Sequence, residues 1–243
     1  MKNEKALSWR HEYKFRIDAR LLAVLSERAK QVMEPDSHAG DTGLYQIRSV
    51  YFDDYQDSCY RQNEAGTDPR VKYRVRCYNG DDGYIRLERK SKKNGMTAKE
   101  SCALSREQAE DMIRGRLLDL RDEDFSDQNP VYKDFVCLQR TRLLRPKVLV
   151  IYNRRPFVNA AGNVRVTFDQ QISAGMKPEQ LFEAYPFQMP ILPLGESLME
   201  VKYDALLPDT IRDVLSLGKL RQETFSKYYL CRREERKLHE YIR

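Results

Sequence analysis

Ionic side chains recur at every second position in several short segments of this chain. Lys72, Arg74 and Arg76 alternate with Val71, Tyr73, Val75 and Cys77, and Arg86, Glu88 and Lys90 alternate with Ile85 and Leu87. Arg165, Thr167 and Asp169 oppose Val164, Val166 and Phe168, while Glu200 and Lys202 oppose Met199, Val201 and Tyr203. A period of two marks strands with one apolar and one ionic face. A sheet with its charged face in water is one arrangement that accounts for this. Three cations side by side repel one another, however, unless an anion or carboxylates lie opposite. A closed or nearly closed barrel with its ionic faces inward satisfies both faces at once. Such a lumen suits a polyanion, because arginine chelates phosphate oxygens with its fork and lysine adds point charge. Interleaved glutamates could hold a divalent metal that bridges phosphate oxygens.

The elements that must position these groups are readable in turn. Trp9 to Ile17 alternates strictly, with Trp9, His11, Tyr13, Phe15 and Ile17 on one face, so it is expected to be a strand. Asp18 then caps a helix with apolar positions Leu21, Leu22, Val24, Leu25, Ala29 and Val32. Gly40 to Gly43 breaks the chain before a strand over Tyr45 to Asp53. Val71 to Tyr78 and Tyr84 to Lys90 read as strands joined by Asn79-Gly80-Asp81-Asp82-Gly83. Ser105 and Gln108 form a capping box for a helix that Gly115 closes. Pro130 fits the first turn of a helix running towards Leu144. Lys147 to Arg154, Val164 to Asp169 and Ser197 to Tyr203 are later strands, followed by helices over Asp209 to Leu217 and Gln222 to Tyr241. The expected fold class is α+β, an antiparallel β tunnel with helices packed outside, in a single domain over 1–243.

Composition narrows the function classes. The 243 residues carry 43 Lys and Arg against 37 Asp and Glu, a net charge of +6, with 33% charged and 41% hydrophobic residues. Ample apolar content argues for a packed core, and the mild basic excess for a polyanionic partner. No apolar run approaches the about 20 residues of a membrane span, Val148 to Ile151 being typical of the longest. Met1 to Arg10 lacks an apolar signal region, so no secretory leader is expected. Five scattered cysteines, with no CxxC pair, read as reduced structural thiols of a cytoplasmic protein. His11, His38 and His239 have no zinc-ligand spacing, and no glycine-rich phosphate loop is present. The tract Arg89 to Gly95 is either a tunnel mouth or an ordinary hairpin tip. Mixed signs over Cys231 to Lys237 read as a solvated helix face rather than a nucleic-acid or membrane contact.

Taken in order, a series of short segments resembles the VTC domain, the polyphosphate polymerase domain of the vacuolar transporter chaperone complex, within the CYTH-like or triphosphate tunnel metalloenzyme superfamily. The segments are the first strand ending at Lys14, Ser49-Val50-Tyr51-Phe52-Asp53, Tyr73-Arg74-Val75-Arg76 and Leu87-Glu88-Arg89-Lys90. They continue as Tyr152-Asn153-Arg154, Val164-Arg165-Val166, Met199-Glu200-Val201-Lys202 and Phe225-Ser226-Lys227. The resemblance spans about Tyr13 to Tyr229.

It implies a tunnel that binds triphosphate, pyrophosphate or polyphosphate, and transfer of the γ-phosphate of ATP to a growing polyphosphate chain with Mn²⁺ or Mg²⁺. It further implies phosphate binding by Lys14, Arg74, Arg76, Lys90, Lys99, Tyr152, Arg154, Arg165, Lys202, Ser226 and Lys227. Of these, Lys14, Arg74, Arg76, Arg154 and Arg165 would serve the reacting phosphates. Glu200 would be the metal ligand; Glu12 and Glu88 are either secondary ligands or ion-pair partners of lumen arginines.

Relatives that hydrolyse triphosphate carry ExExK in the first strand, whereas this chain has Arg10-His11-Glu12-Tyr13-Lys14. A cation in place of the first glutamate should weaken a second metal site and favour phosphate. A polyphosphate- or nucleotide-binding sensor, and an inorganic triphosphatase, remain the alternative readings. A duplex cannot reach charges inside a narrow lumen, so no nucleic-acid partner is expected. Any membrane association would run through a separate partner protein.

Overall fold

The computed structural model describes residues 7–40, 42–117 and 129–241. Asp41, in the expected break, and residues 1–6 of the expected leaderless N-terminus lie outside these. In chain order the elements are β1 (His11–Ile17), α1 (Ala19–Ala29), β2 (Glu34–Pro35), β3 (Tyr45–Asp53), α2 (Ser58–Glu64) and β4 (Arg70–Tyr78). Then come β5 (Asp81–Lys93), β6 (Met96–Leu104), α3 (Arg106–Ile113), α4 (Pro130–Thr141), β7 (Arg145–Asn159) and β8 (Val164–Gly175). The chain continues with β9 (Gln188–Pro190), β10 (Ser197–Tyr203), α5 (Asp209–Val214) and α6 (Lys227–Tyr241).

Eight strands form one antiparallel sheet in the order β1-β10-β8-β7-β3-β4-β5-β6, with β2 on β7 and β9 on β8. The sheet curls until its ends meet. Arg10 and Thr97 exchange two backbone hydrogen bonds of 2.9 Å each, a single bridge between the start of β1 and β6. Two hairpins set the register of the cationic wall. Asn79-Gly80 and Asn94-Gly95 both hold positive φ at each central residue, the pattern of two-residue turns that match strand twist. The basic tract Arg89 to Gly95 is therefore the end of β5 and its turn.

Apolar faces pack outward. Val75, Leu87, Leu149 and Ile151 meet Met112 of α3 and Phe135 of α4 in one cluster. Phe15, Val166, Phe168 and Val201 meet Leu25 of α1 and Ile211 of α5 in a second. The capping signals do their expected work: Asp18 accepts from Leu21 N–H, Ser105 and Gln108 close a capping box, and Pro130 opens α4 behind the Asn129 cap.

A third cluster lies inside the curl. Ile47, Val148, Val150, Ile172 and Leu198 face inward and pack on Phe225, Tyr228 and Cys231. The device that makes this possible is a bulge in β8. The β7–β8 register shifts between Ile151 and Asn153, and Gln171 adopts φ 51°. One extra residue flips the parity of every later side chain. Arg165, Thr167 and Asp169 share the inward face before the bulge, and Ile172 and Ala174 join the inner cluster after it. The alternation that marks a strand over Val164 to Asp169 stops there for this reason.

The last helix is shorter than the expected Gln222 to Tyr241. Gln222 bridges to Phe15, and Glu223 N–H donates to the Lys14 carbonyl. These bonds keep the segment extended along β1 until Ser226, whose hydroxyl accepts from Tyr229 N–H. α6 then packs on β7 and β8 and reaches α2. Its anchor is Asp53, fully buried, which accepts from the N–H groups of Asp54, Cys59 and Tyr60 and from the Tyr228 hydroxyl at 2.5 Å. Burial and the neighbouring carboxylate push the Tyr228 phenol well above its usual range, so it stays a donor. A hydrogen bond to a charged group contributes about 1.5–3 kcal/mol. Tyr228→Phe should lower unfolding free energy by about that amount in urea titrations.

Candidate functional site

The inward faces of β1, β4, β5, β7 and β10, with the start of α6, enclose a cavity of about 690 Å³. Its lining includes eleven basic side chains against four glutamates. Alternation alone places Lys72, Arg74 and Arg76 together, and cross-strand pairing brings Lys90 opposite Lys72. Pairing of Lys14 with Glu200 and of Glu12 with Lys202 across β1 and β10 sets opposite charges face to face.

Carboxylates keep these cations apart. Glu12 accepts from Lys90 at 2.9 Å through both oxygens and lies 3.3 Å from Lys202 and 3.6 Å from Lys14. Glu200 meets Lys227 at 2.9 Å, Lys202 at 3.1 Å, Arg154 at 3.4 Å and Lys14 at 3.8 Å. Arg154 forks onto Asp169 with two bonds of 2.7 Å, and Lys227 reaches the same carboxylate at 2.6 Å. Glu88 holds Arg74 at 2.6 Å and Lys99 at 3.1 Å. Arg76 bonds Ser49 and the Tyr152 hydroxyl, and Arg74 bonds the Tyr51 hydroxyl at 2.6 Å.

Electrostatics follow from this crowding. Burial opposes ionisation of Glu12, but Lys14, Lys90 and Lys202 outweigh it and hold the carboxyl well below its usual range. Glu200 is held low against burial by Lys202, Lys227, Lys14 and Arg154. Lys227, despite burial, is raised by Asp169 and Glu200. Two lysines go the other way. Burial, with Arg70, Lys14 and Lys90 nearby, lowers Lys72 to about 7. Burial and the neighbouring Lys14 and Lys202 bring Lys90 to about 7, with Glu12 offsetting only part.

Of the residues singled out in the sequence, Glu12, Lys14, Arg74, Arg76, Lys90, Tyr152, Arg154, Glu200, Lys202, Ser226 and Lys227 all line this cavity. Three do not. Arg165 is held by Asp36 at 2.8 Å and the Tyr45 hydroxyl at 2.9 Å. Lys99 is half exposed and touches the site only through Glu88, which is itself buried behind Arg74. Arg10, expected to add a cation to the lumen, pairs with Asp204 at 2.8 Å, and its backbone closes the ring. Lys72, Arg70, Lys92 and Tyr51 line the cavity without having been singled out as site residues. For Lys72 the signal was present, since it shares the ionic face of Arg74 and Arg76.

Among the described residues no three His, Cys, Asp or Glu side chains gather to hold a metal. Glu200 and Glu12 flank Lys14 and Lys202, so the protein offers one or two carboxylates. That donor set fits a hard divalent ion whose remaining ligands are phosphate oxygens.

The curled antiparallel sheet with a cationic interior and helices on its outer face defines a triphosphate tunnel fold of the CYTH-like kind. It is similar to a putative adenylyl cyclase from Hippeastrum described as having a dominant triphosphatase activity, with a TM-score of 0.52 and 10% identity over 93% of this chain and 96% of that one. It is also similar to a putative adenylate cyclase from Bacillus halodurans, with a TM-score of 0.50 and 11% identity over 89% of this chain and 95% of that one. At these identities the likeness is one of fold. Within this class the chain belongs to the VTC domain family, whose profile matches residues 9–233. Comparison with curated proteins returned no match. Fold and family together support a polyphosphate- or triphosphate-related function. Among the described residues no helix is long and apolar enough to cross a membrane.

A phosphate chain restores the charge that burial takes from Lys72 and Lys90, so binding takes up protons near and above pH 7. Affinity for tripolyphosphate should fall as pH rises from 7 to 9, each lysine adding up to about tenfold per pH unit. The unliganded protein should behave oppositely. Its unfolded lysines bind protons up to their ordinary value of 10.5, so these two groups make stability rise with pH above 7. Calorimetric titration of wild type and Lys72→Gln checks this, the variant giving the flatter profile.

Proposed function

We propose that this chain is a phosphotransferase that moves the γ-phosphate of ATP onto the end of a polyphosphate chain. One observation carries the reading: Glu12 and Glu200, the glutamates that line the cavity among its lysines, are both engaged by them. The surrounding cations hold both carboxyls well below their usual range, which makes them poor bases towards water. A phosphate acceptor is already anionic and needs no base, and phosphoryl transfer depends mainly on in-line positioning and charge neutralisation.

In this reading Arg74, Arg76 and Arg154 surround the transferred group, Arg forks matching its oxygens. Lys14, Lys90 and Lys202 give up their carboxylate partners to phosphates as the chain enters. The hydroxyl of Ser226 and the amine of Lys227 meet the phosphates at the start of α6, where the helix dipole favours anions. The Tyr152 hydroxyl, already hydrogen-bonded to Arg76, holds that guanidinium towards the substrate. Mn²⁺ or Mg²⁺, seated on Glu200 and phosphate oxygens with Glu12 nearby, would neutralise developing charge. Arg165 has no part in this cradle, and Lys99 acts only by orienting Glu88.

The test is incubation with ATP and Mn²⁺, resolving ADP, orthophosphate and long chains. ADP with long chains is expected, and Glu200→Gln should slow their formation by about 100-fold or more. Orthophosphate without chains would replace the reading with a triphosphatase. Tight binding of ATP without turnover would replace it with a sensor.

A further inference from the structure

One face of α6 runs from the phosphate cradle outward. Ser226, Tyr229 and Arg233 follow one another at helical spacing and all line the cavity. Ser226 sits among the cations, where its hydroxyl accepts from Lys72 at 3.1 Å. Tyr229 lies one turn further on, at the solvent-facing end of the cavity, beside Asn63 and Glu64 of α2.

Tyr229 is not a lone ring. Its ring stacks on Tyr60 with centroids 4.9 Å apart and planes 28° from parallel. Arg236 covers Tyr60, its guanidinium carbon 4.9 Å from the ring centroid. The Tyr229 hydroxyl donates to Glu64 at 3.2 Å. A cation, one aromatic ring and a second aromatic ring thus form a layered stack whose cavity-lining member is Tyr229. Packing does not require such a stack at an exposed rim, and the phosphates bound deeper have no use for an aromatic surface.

We propose that the Tyr60–Tyr229 stack is the seat of the nucleobase, making the mouth of the cavity a nucleoside subsite. The inference rests on the ATP-dependent reading above and assigns its donor an orientation. The triphosphate points inward to Arg74, Arg76 and Arg154, and the base lies against Tyr229. Stacking of a base on an aromatic side chain tolerates any base and contributes about 1–3 kcal/mol. The subsite therefore separates nucleoside triphosphates from bare tripolyphosphate rather than one nucleotide from another. The hydroxyl-to-Glu64 bond fixes the tilt of the ring, and Arg236 braces Tyr60 from behind by a cation–π contact.

The experiment compares Kd for ATP and for tripolyphosphate in wild type, Tyr229→Ala and Tyr229→Phe. Tyr229→Ala should weaken ATP by about 5- to 150-fold, the range that stacking carries, and leave tripolyphosphate within about twofold, since its cradle is untouched. Tyr229→Phe keeps the ring and should bind ATP nearly as wild type does. Equal losses for both ligands in Tyr229→Ala would overturn the proposal, because they would make Tyr229 a support for the cradle. An unchanged ATP affinity would overturn it too. Failure of wild type to bind tripolyphosphate would instead sink the phosphate-cradle reading itself.

Discussion

The constraint on which the rest depends is the cost of gathering cations in a nearly closed lumen. Like charges this close repel, and burial penalises each of them further. The chain meets that cost with four carboxylates set among the basic side chains. Glu12 and Glu200 oppose lysines, Asp169 neutralises Arg154 and Lys227, and Glu88 neutralises Arg74. Each carboxylate sits where strand pairing forces it, on an inward position of β1, β5, β8 or β10. The cradle is therefore pre-organised before any phosphate arrives, and entry of a phosphate chain is an exchange of carboxylate oxygens for phosphate oxygens. Lys72 and Lys90 show that the neutralisation is incomplete, and these two groups gain most when an anion enters.

Geometry carries the second half of the account. A barrel lined by charge from end to end would have no core inside it. The bulge at Gln171 turns Ile172 and Ala174 inward, and α6 brings Phe225, Tyr228 and Cys231 to meet them. The interior is thus divided into a cationic part and an apolar part, and α6 spans the boundary. Its first turn joins the cradle, its buried face completes the apolar plug, and Asp53 ties both to α2 through Tyr228. Local order at one carboxylate on β3 in this way governs where Ser226 and Lys227 sit.

Much of this was written in local pattern. Period-2 alternation identified β1, β4, β10 and most of β5 and β8, β3 and part of β7 were read as strands without it, and the caps at Asp18, Ser105 and Pro130 marked three helices. The strand over Met96–Leu104 was not legible, because Lys99, Glu100 and Ser101 place three polar residues in a row and hide the alternation that pairing with β5 imposes. The fate of Arg165 was equally hidden. Its position in the strand is correct for a lumen, but its guanidinium is claimed by Asp36, a partner distant in sequence that no spacing rule reveals. Asp169 was visible only as an ionic residue in a strand. Its role as the anchor of Arg154 and Lys227 needs the register between β7 and β8 and the course of α6, both of which are tertiary facts.

The central claim is that the phosphate-binding group is the set of cations that line the cavity, Arg74 among them, and not every inward arginine of the sheet. Tripolyphosphate-induced thermal stabilisation of Arg74→Ala and Arg165→Ala measures this directly, since each variant is compared with its own unliganded state. The account predicts that Arg74→Ala loses most of the stabilisation while Arg165→Ala keeps that of the wild type. Loss in Arg165→Ala equal to that in Arg74→Ala would contradict it.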